Sequence, residues 1–177
     1  MATPRSVVER LDDTVDEWFE QLRGNNIADR VFYTASELGD FSLIWHMAGL
    51  AKALGPAGPR SAARLSTALA LESALVNGAI KSLFRRERPI ADPLDRPLKL
   101  RQPRTSSFPS GHASSATAAA IILSEGSRYT PVYAALAVVV ATSRIHVRIH
   151  HTSDVLAGAA LGAVLGITAR RIGRAIS

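Results

Sequence analysis

The sequence predicts an all-α protein, a compact polytopic bundle of about five transmembrane helices preceded by an amphipathic helix. Two observations favour this fold class. Hydrophobic residues make up 47% of the 177 residues and recur at helical spacing, with no stretch that alternates like a strand. In addition, three stretches contain no Asp, Glu, Lys or Arg, namely 105–124, 129–143 and 155–169. We expect a single domain over 1–177.

Residues 1–25 are predicted to form the amphipathic N-terminal helix. Its apolar side chains fall on one face: Val7, Val8, Leu11, Val15, Trp18, Phe19 and Leu22. Its acids fall on the opposite face: Asp12, Asp13, Asp16, Glu17 and Glu20. Such a helix packs on a core or lies at a membrane interface. We expect no secretory signal, because this stretch has no apolar h-region.

Five apolar segments follow, and we expect each to cross a bilayer once. Some are shorter than the ~20 residues that span a bilayer, but Arg and Lys at segment ends can reach the interface. The segments lie at about 31–54, 61–84, 110–125, 130–147 and 152–172. The proline-rich stretch 89–109 is predicted to be a long functional loop. Buried helices of a soluble all-α protein are the alternative interpretation.

Three glycines in the last segment favour the membrane interpretation. Gly158, Gly162 and Gly166 repeat the small-xxx-small spacing that lets helix backbones approach closely in lipid. In water each helical glycine costs ~1 kcal/mol relative to alanine. The pattern therefore indicates close helix packing in lipid.

The charge of the chain is basic and unevenly spread. Its 21 Lys and Arg against 15 Asp and Glu give a formal net charge of +6. Eight bases lie within residues 81–104: Lys81, Arg85, Arg86, Arg88, Arg96, Lys99, Arg101 and Arg104. This balance suits nucleic acid, a membrane surface or an anionic substrate. Because there is no cysteine, a disulfide scaffold and a cysteine-ligated metal site are excluded.

If each apolar segment crosses the bilayer once, three separate clusters of polar and charged residues lie at one face of the bundle. The second segment ends near Lys81 and Arg88, and the third begins at Ser110–His112. The fourth ends at Ser143–Arg144, and the fifth begins at His150–Asp154. Alternating crossings place all four junctions on the same side.

The converging side chains suit phosphoryl transfer. Lys81, Arg88 and Arg144 supply three positive charges for phosphate oxygens. Ser110 and Gly111 lie at a helix N-terminus, where free N–H groups and the helix dipole bind anions.

Two histidines and an aspartate supply the chemistry at this face. His150 and Asp154 are spaced i,i+4, so the carboxylate can accept Nδ1–H and leave Nε2 as a neutral nucleophile. His112 is left as the general acid. Positioning and charge are sufficient for such a site, so we expect no metal and no cofactor.

Three spaced motifs connect these residues to a known family. They are K-x6-RP from Lys81, PSGH ending at His112, and SR-x5-H-x3-D ending at Asp154. The chain resembles the type 2 phosphatidic acid phosphatase (PAP2) superfamily, which also includes the vanadium haloperoxidases. The motifs cover 81–154, and membrane members of the family are compact helical bundles with the site at one membrane face.

The resemblance implies a role for each residue. His150 attacks phosphorus to give a phosphohistidine, and Asp154 orients it. His112 protonates the leaving oxygen and then activates water. The phosphoryl group is held by Lys81, Arg88, Ser110, the Gly111 amide and Arg144. The surplus bases (Arg85, Arg86, Arg96, Lys99, Arg101 and Arg104) are predicted to form a basic loop near lipid headgroups.

Other histidines leave competing interpretations. His146, His150 and Asp154 at i, i+4 and i+8 could form a helical metal site, although the three cations would repel a metal ion. His151 competes with His150 in register but does not meet the motif spacing. His46 fits a packed or hydrogen-bonded core histidine.

The resemblance also predicts the substrate class, a lipid phosphate whose tail stays among membrane lipids. A small bacterial membrane lipid phosphatase is expected, with polyprenyl phosphates, polyprenyl diphosphates or sugars such as decaprenyl-phosphoryl-phosphoribose favoured. Phosphatidate or phosphatidylglycerophosphate is the alternative. A vanadium-dependent haloperoxidase or a non-catalytic basic membrane scaffold is a less favoured interpretation. Nucleic acid is not an expected partner. No oligomeric state is predicted.

The distribution of bases predicts which membrane face holds the site of this multi-pass cell-membrane protein. With the three phosphate ligands set aside, 11 bases lie on the active side and 7 on the other. The positive-inside rule therefore favours the cytoplasmic face.

Overall fold

A computed structural model describes residues 5–56, 58–89, 100 and 105–175. Every regular element within these ranges is helical, which confirms the predicted all-α class. The helices are α1 (Val7–Glu20), α2 (Asn26–Gly39), α3 (Leu43–Ala53), α4 (Gly58–Ser73), α5 (Gly111–Leu123), α6 (Thr130–His146) and α7 (Thr152–Ala175).

Helix α1 begins at a capping box. The Ser6 hydroxyl accepts the Glu9 N–H at 3.1 Å, and the Glu9 carboxylate accepts the Ser6 N–H at 2.7 Å. Only part of its apolar face packs on the bundle, where Val15 and Phe19 contact a buried cluster of α5, α6 and α7 side chains. Several other apolar side chains of this region are exposed: Val7, Val8, Leu11, Trp18 and Leu22. The sequence pattern placed Asp12 on the polar face, but it is buried.

The segment predicted at 31–54 is two helices rather than one. Asn25 caps α2 by accepting the N–H groups of Ile27 and Ala28. After Gly39 the chain makes a short 3₁₀ turn (Asp40–Ser42) before α3 begins. Phe41 and Ser42 have φ of 52° and 58° in this turn, a left-handed conformation that breaks the helix.

Helix α4 continues into a π-helical stretch, Ala74–Ile80, that leads directly to Lys81. Such wide turns occur mostly as single-turn insertions in α-helices, frequently at functional sites. Below it, Leu65 and Leu69 of α4 pack in the main core with Trp45 of α3. The π-helical stretch therefore connects the packed part of the bundle to the first motif.

Helix α5 is the centre of the bundle, and α7 lies against it. Most of α5 consists of buried small residues. Added Cβ atoms at Gly158 and Gly162 of α7 would lie 2.2 and 2.1 Å from the carbonyl oxygens of Ser110 and Ser114. Gly166 continues this contact at the level of Ala118. The glycine repeat is thus the surface on which α5 and α7 meet.

One described helix has both the length and the hydropathy of a membrane span. Helix α7 has 24 residues and a mean hydropathy of 1.5 over its most apolar window, of which 22% is buried. Helix α5 is apolar but shorter. This result rests on length and composition alone.

Replacing Gly162 tests the close contact between α5 and α7. In Gly162→Leu the new side chain would displace the Ser114 backbone, so we expect the protein to lose roughly 1–3 kcal/mol of stability or more. Thermal unfolding of the purified protein measures the change. Gly78→Ala is the control, because an added Cβ there meets nothing within 4 Å. Equal unfolding midpoints for the two variants would contradict the packing described.

Candidate active site

Four helix ends bring the three motifs together at one end of the bundle. The Ser110 N–H, which precedes α5, donates to the Asp154 carbonyl in α7 at 2.9 Å. The His150 N–H donates to the Arg144 carbonyl of α6 at 3.1 Å, and Arg88 Nη1 lies 3.4 Å from His150 Nε2. Residues that are far apart in sequence therefore line one site.

His150 lies at the centre of this site with 2% of its surface exposed. Its Nδ1 is 3.7 Å from Asp154 Oδ2, within ion-pair range but longer than a hydrogen bond. Its Nε2 is the atom near Arg88. Because a guanidinium can only donate, this contact favours an imidazole with an unprotonated Nε2.

The surroundings of His150 keep it neutral. Burial is the main cause that lowers the pKa of His150, against the raising effect of the Asp154 carboxylate. The positive charges of Arg144, Arg88 and Lys81 also lower it, and together these effects bring the pKa to about 3. Nε2 is therefore unprotonated at neutral pH, with its lone pair directed at Arg88.

Asp154 is completely buried in the first turn of α7. Its Oδ2 accepts the His151 N–H at 2.9 Å, and its Oδ1 accepts Arg86 Nη1 at 2.6 Å. The assignment of Arg86 to a basic loop at lipid headgroups was wrong. A buried carboxylate needs a compensating charge, and this requirement is the signal that could have identified Arg86. The predicted loop bases Arg96, Lys99, Arg101 and Arg104 lie outside the described residues.

The three predicted phosphate-binding cations are held by different elements. Lys81 and Arg144 are buried, and Arg144 Nη1 donates to Ser36 Oγ of α2. Arg88 donates to the carbonyls of Ile149, Thr105 and Ser106 at 2.9–3.1 Å. Its buried Nε has no hydrogen-bond partner among the described residues. This donor is available for an anion.

The PSGH motif lies at the start of α5. Ser110 is the N-cap, and its Oγ accepts the Ala113 N–H. Gly111 packs against the π-helical stretch, where an added Cβ would lie 2.3 Å from Asn77 Oδ1. The N–H groups of Gly111 and His112 come before the first hydrogen bond of the helix and are available for an oxyanion.

The α2–α3 turn fixes His112, a role that the sequence did not reveal. His112 Nε2 lies 3.1 Å from Asp40 Oδ1 and 3.2 Å from the Ser36 carbonyl oxygen. Its ring packs on Gly39, where an added Cβ would come within 2.6 Å of Cδ2. Arg144 acts electrostatically on both His112 and His150.

The other histidines have different surroundings. His146 Nε2 bonds to Asp29 Oδ1 at 2.8 Å, and its ring stacks on Phe32. No group of three potential metal ligands occurs in the part of the chain that the structure describes. His46 lies 3.0 Å from Ser66 Oγ, as expected for a hydrogen-bonded core histidine. His151 contributes its backbone N–H to Asp154.

Comparison with known sequences gives consistent matches. A sequence model of the PAP2 superfamily matches residues 61–176, which include all three motifs. The chain is 41% identical over 98 residues to the decaprenylphosphoryl-5-phosphoribose phosphatase of Mycobacterium tuberculosis, covering 53% of this chain and 51% of that protein. The corresponding phosphatase of Mycolicibacterium smegmatis is 38% identical over 126 residues, covering 70% and 67%. The chain thus spans about half the length of the M. tuberculosis relatives that it matches.

Solved structures agree on the fold. The first transmembrane PAP2-type phosphatidylglycerolphosphate phosphatase from Bacillus subtilis superimposes with a TM-score of 0.76 at 21% identity, over 98% of this chain and 89% of that one. LpxE of Aquifex aeolicus superimposes with a TM-score of 0.68 at 25% identity, over 88% and 93%. With the family match covering more than half of its residues, this chain belongs to the PAP2 superfamily.

Proposed function

We propose that this protein is an integral-membrane lipid phosphatase that works through a phosphohistidine intermediate without a metal. One observation carries the proposal: the neutral, buried His150 lies between Asp154 and Arg88 and within the positive field of Lys81 and Arg144. This combination suits a nucleophile that must approach an anionic phosphorus centre.

The phosphoryl group would lie between the cations and the start of α5. Lys81, Arg88 and Arg144 would neutralise its equatorial oxygens, with Arg88 Nε as one donor. Ser110 and the Gly111 amide would add the field of the helix N-terminus. Three cations at this position favour the phosphate over a metal ion.

The first step transfers the phosphoryl group to His150. Nε2 attacks phosphorus, the bond from phosphorus to the leaving oxygen breaks, and His112 gives that oxygen its proton. The Asp154 carboxylate stabilises the positive charge that develops on the imidazole, as in other oriented histidines. Ser36 and Asp40 hold the His112 ring for this proton transfer.

The second step releases inorganic phosphate. His112 takes a proton from water, the water oxygen attacks phosphorus, and the bond between Nε2 and phosphorus breaks. His150 returns to the neutral form, and inorganic phosphate leaves the cation cluster formed by Lys81, Arg88 and Arg144. His112 thus serves as the acid in the first step and as the base in the second.

The substrate that we propose is a polyprenyl phosphate, a polyprenyl diphosphate or a phosphorylated polyprenyl sugar. The relatives with 38–41% identity are named as phosphatases of decaprenylphosphoryl-5-phosphoribose. Phosphatidate or phosphatidylglycerophosphate is the second candidate, favoured by the B. subtilis structure, whose title names a phosphatidylglycerolphosphate phosphatase. A non-catalytic scaffold has less support, since the full set of reacting side chains is present. A haloperoxidase has less support, because the relatives and the B. subtilis structure are named as phosphatases.

We also propose that the chain is one domain over 1–177 and crosses the cell membrane several times. Large apolar side chains point outward from several helices, as expected for lipid contact: Met47, Leu50, Leu71, Val138, Leu156 and Val164. The count of bases favours a cytoplasmic active site.

Loss of the nucleophile tests the mechanism. We expect wild-type protein to release phosphate from a lipid phosphate with EDTA present, and vanadate to inhibit it. His150→Ala should lower kcat by at least ~10³-fold, because no other group can form the covalent intermediate. His46→Gln, which keeps a polar partner for Ser66, is the control. Loss of activity in EDTA with rescue by a divalent metal would contradict this mechanism.

The low pKa of His150 predicts the acid side of the pH profile. Acid protonates Nε2 only when the pH approaches the pKa of about 3, so kcat/KM should stay high well below pH 6.5. Arg88→Gln removes a nearby positive charge, which should raise this pKa and move the acid limb to higher pH. The measurement is kcat/KM against pH, corrected for titration of the lipid phosphate by ³¹P NMR. An acid limb at pH 6.5 that Arg88→Gln leaves in place would oppose the assignment.

A substrate panel separates the two lipid classes. We expect the purified protein to release phosphate with a higher kcat/KM from polyprenyl phosphates, polyprenyl diphosphates or phosphorylated polyprenyl sugars than from phosphatidate and phosphatidylglycerophosphate. His150→Ala protein provides the background rate for each lipid. The reverse order would select the second candidate, with the same chemistry at His150.

A further inference from the structure

Asp12 of α1 is a buried acid that contacts partly buried residues at the active site. Only 6% of its surface is exposed. Its Oδ1 accepts the Ser153 N–H at 2.7 Å, and its Oδ2 accepts the Ser153 hydroxyl at 2.8 Å. Ser153 is the residue before Asp154, so Asp12 holds the first turn of α7 from outside.

Arg86 joins this acid to the one behind His150. Its Nη2 donates to Asp12 Oδ2 at 2.7 Å, and its Nη1 donates to Asp154 Oδ1 at 2.6 Å. Nη1 also donates to Ser153 Oγ at 2.7 Å. One planar guanidinium therefore bridges two carboxylates from opposite ends of the chain. Lysine could not hold both in this way.

The arrangement leaves one oxygen of Asp154 for His150. Arg86 takes Oδ1, so Oδ2 is the oxygen that lies near His150 Nδ1 while also accepting the His151 N–H. Rotation of the carboxylate would break the bond to Arg86. Two buried acids this close would repel each other without the guanidinium between them, so the three groups hold their positions together.

We propose that Asp12 and Arg86 form a clamp that positions Asp154, and through it His150, so that α1 is part of the active site. This inference rests on the phosphatase function proposed above. Asp12 and Arg86 are positioning residues, because neither is placed against the phosphoryl group. Helix α1 also forms one wall of a cavity of about 280 Å³ that reaches His150.

The test compares Asp12→Ala with two variants of the same helix. Without Asp12, Arg86 and Ser153 lose their shared acceptor and Asp154 can turn, so kcat should fall ~10- to 100-fold. KM should stay the same, because Lys81, Arg88 and Arg144 are untouched. Val15→Ala loosens the packing of α1 without changing these hydrogen bonds, and Glu17→Ala removes an exposed acid. Both controls should keep the wild-type kcat.

A second measurement is independent of any substrate. In ¹⁵N-histidine NMR spectra, wild-type His150 should show one neutral tautomer protonated at Nδ1. Asp12→Ala and Arg86→Gln should show a mixture of tautomers, whereas Asp12→Glu, which keeps the carboxylate, should restore most of the single form.

The outcomes separate the two proposals. A wild-type kcat and tautomer in Asp12→Ala would overturn the clamp, and so would an equal loss of kcat in Val15→Ala. If the wild-type protein hydrolyses no lipid phosphate, the proposed function fails. The tautomer spectra would still decide whether Asp12 and Arg86 position His150.

Discussion

The contact between the backbones of α5 and α7 is the constraint on which the site depends. Gly158 and Gly162 let α7 approach the carbonyls of Ser110 and Ser114, closer than any side chain would allow. At that separation the Ser110 N–H reaches the Asp154 carbonyl. The PSGH motif is thereby hydrogen-bonded to α7, the helix that carries Asp154. Small residues in these helices thus set the geometry of the charged groups at their ends.

Charge balance explains why so many ionic groups can be buried at this end of the bundle. Arg88 lies at Nε2 of the nucleophile and Asp154 at Nδ1, while Lys81 and Arg144 add positive charge nearby. Asp154 and Asp12 share the Arg86 guanidinium, and Asp12 also accepts the Ser153 N–H. An anion added to the cation side would complete the neutralisation, which is a general way to bind phosphate tightly in a water-poor site.

Much of this arrangement was predictable from the sequence, because motif spacing and helix junctions are local properties. The segment ends placed Arg144 and His150 at one face, and the glycine repeat indicated a close helix contact. The supporting acids were not predictable. Asp12 fits the polar face of an amphipathic helix, and its burial depends on Arg86, which lies far away in sequence. Asp40 follows Gly39, a residue that often ends a helix, but no local signal marked Phe41 and Ser42 as left-handed or placed Asp40 beside His112.

The π-helical stretch before Lys81 has a consequence for how this chain can change over time. A π-turn holds one residue more than an α-turn, so deleting a single residue from 74–80 would restore regular helix while the later side chains keep nearly the same direction around the axis. Lys81 would then still face the site, but the wide turn that places Asn77 against Gly111 would be lost. A single residue can therefore be gained or lost in this stretch without turning the first motif away from the site.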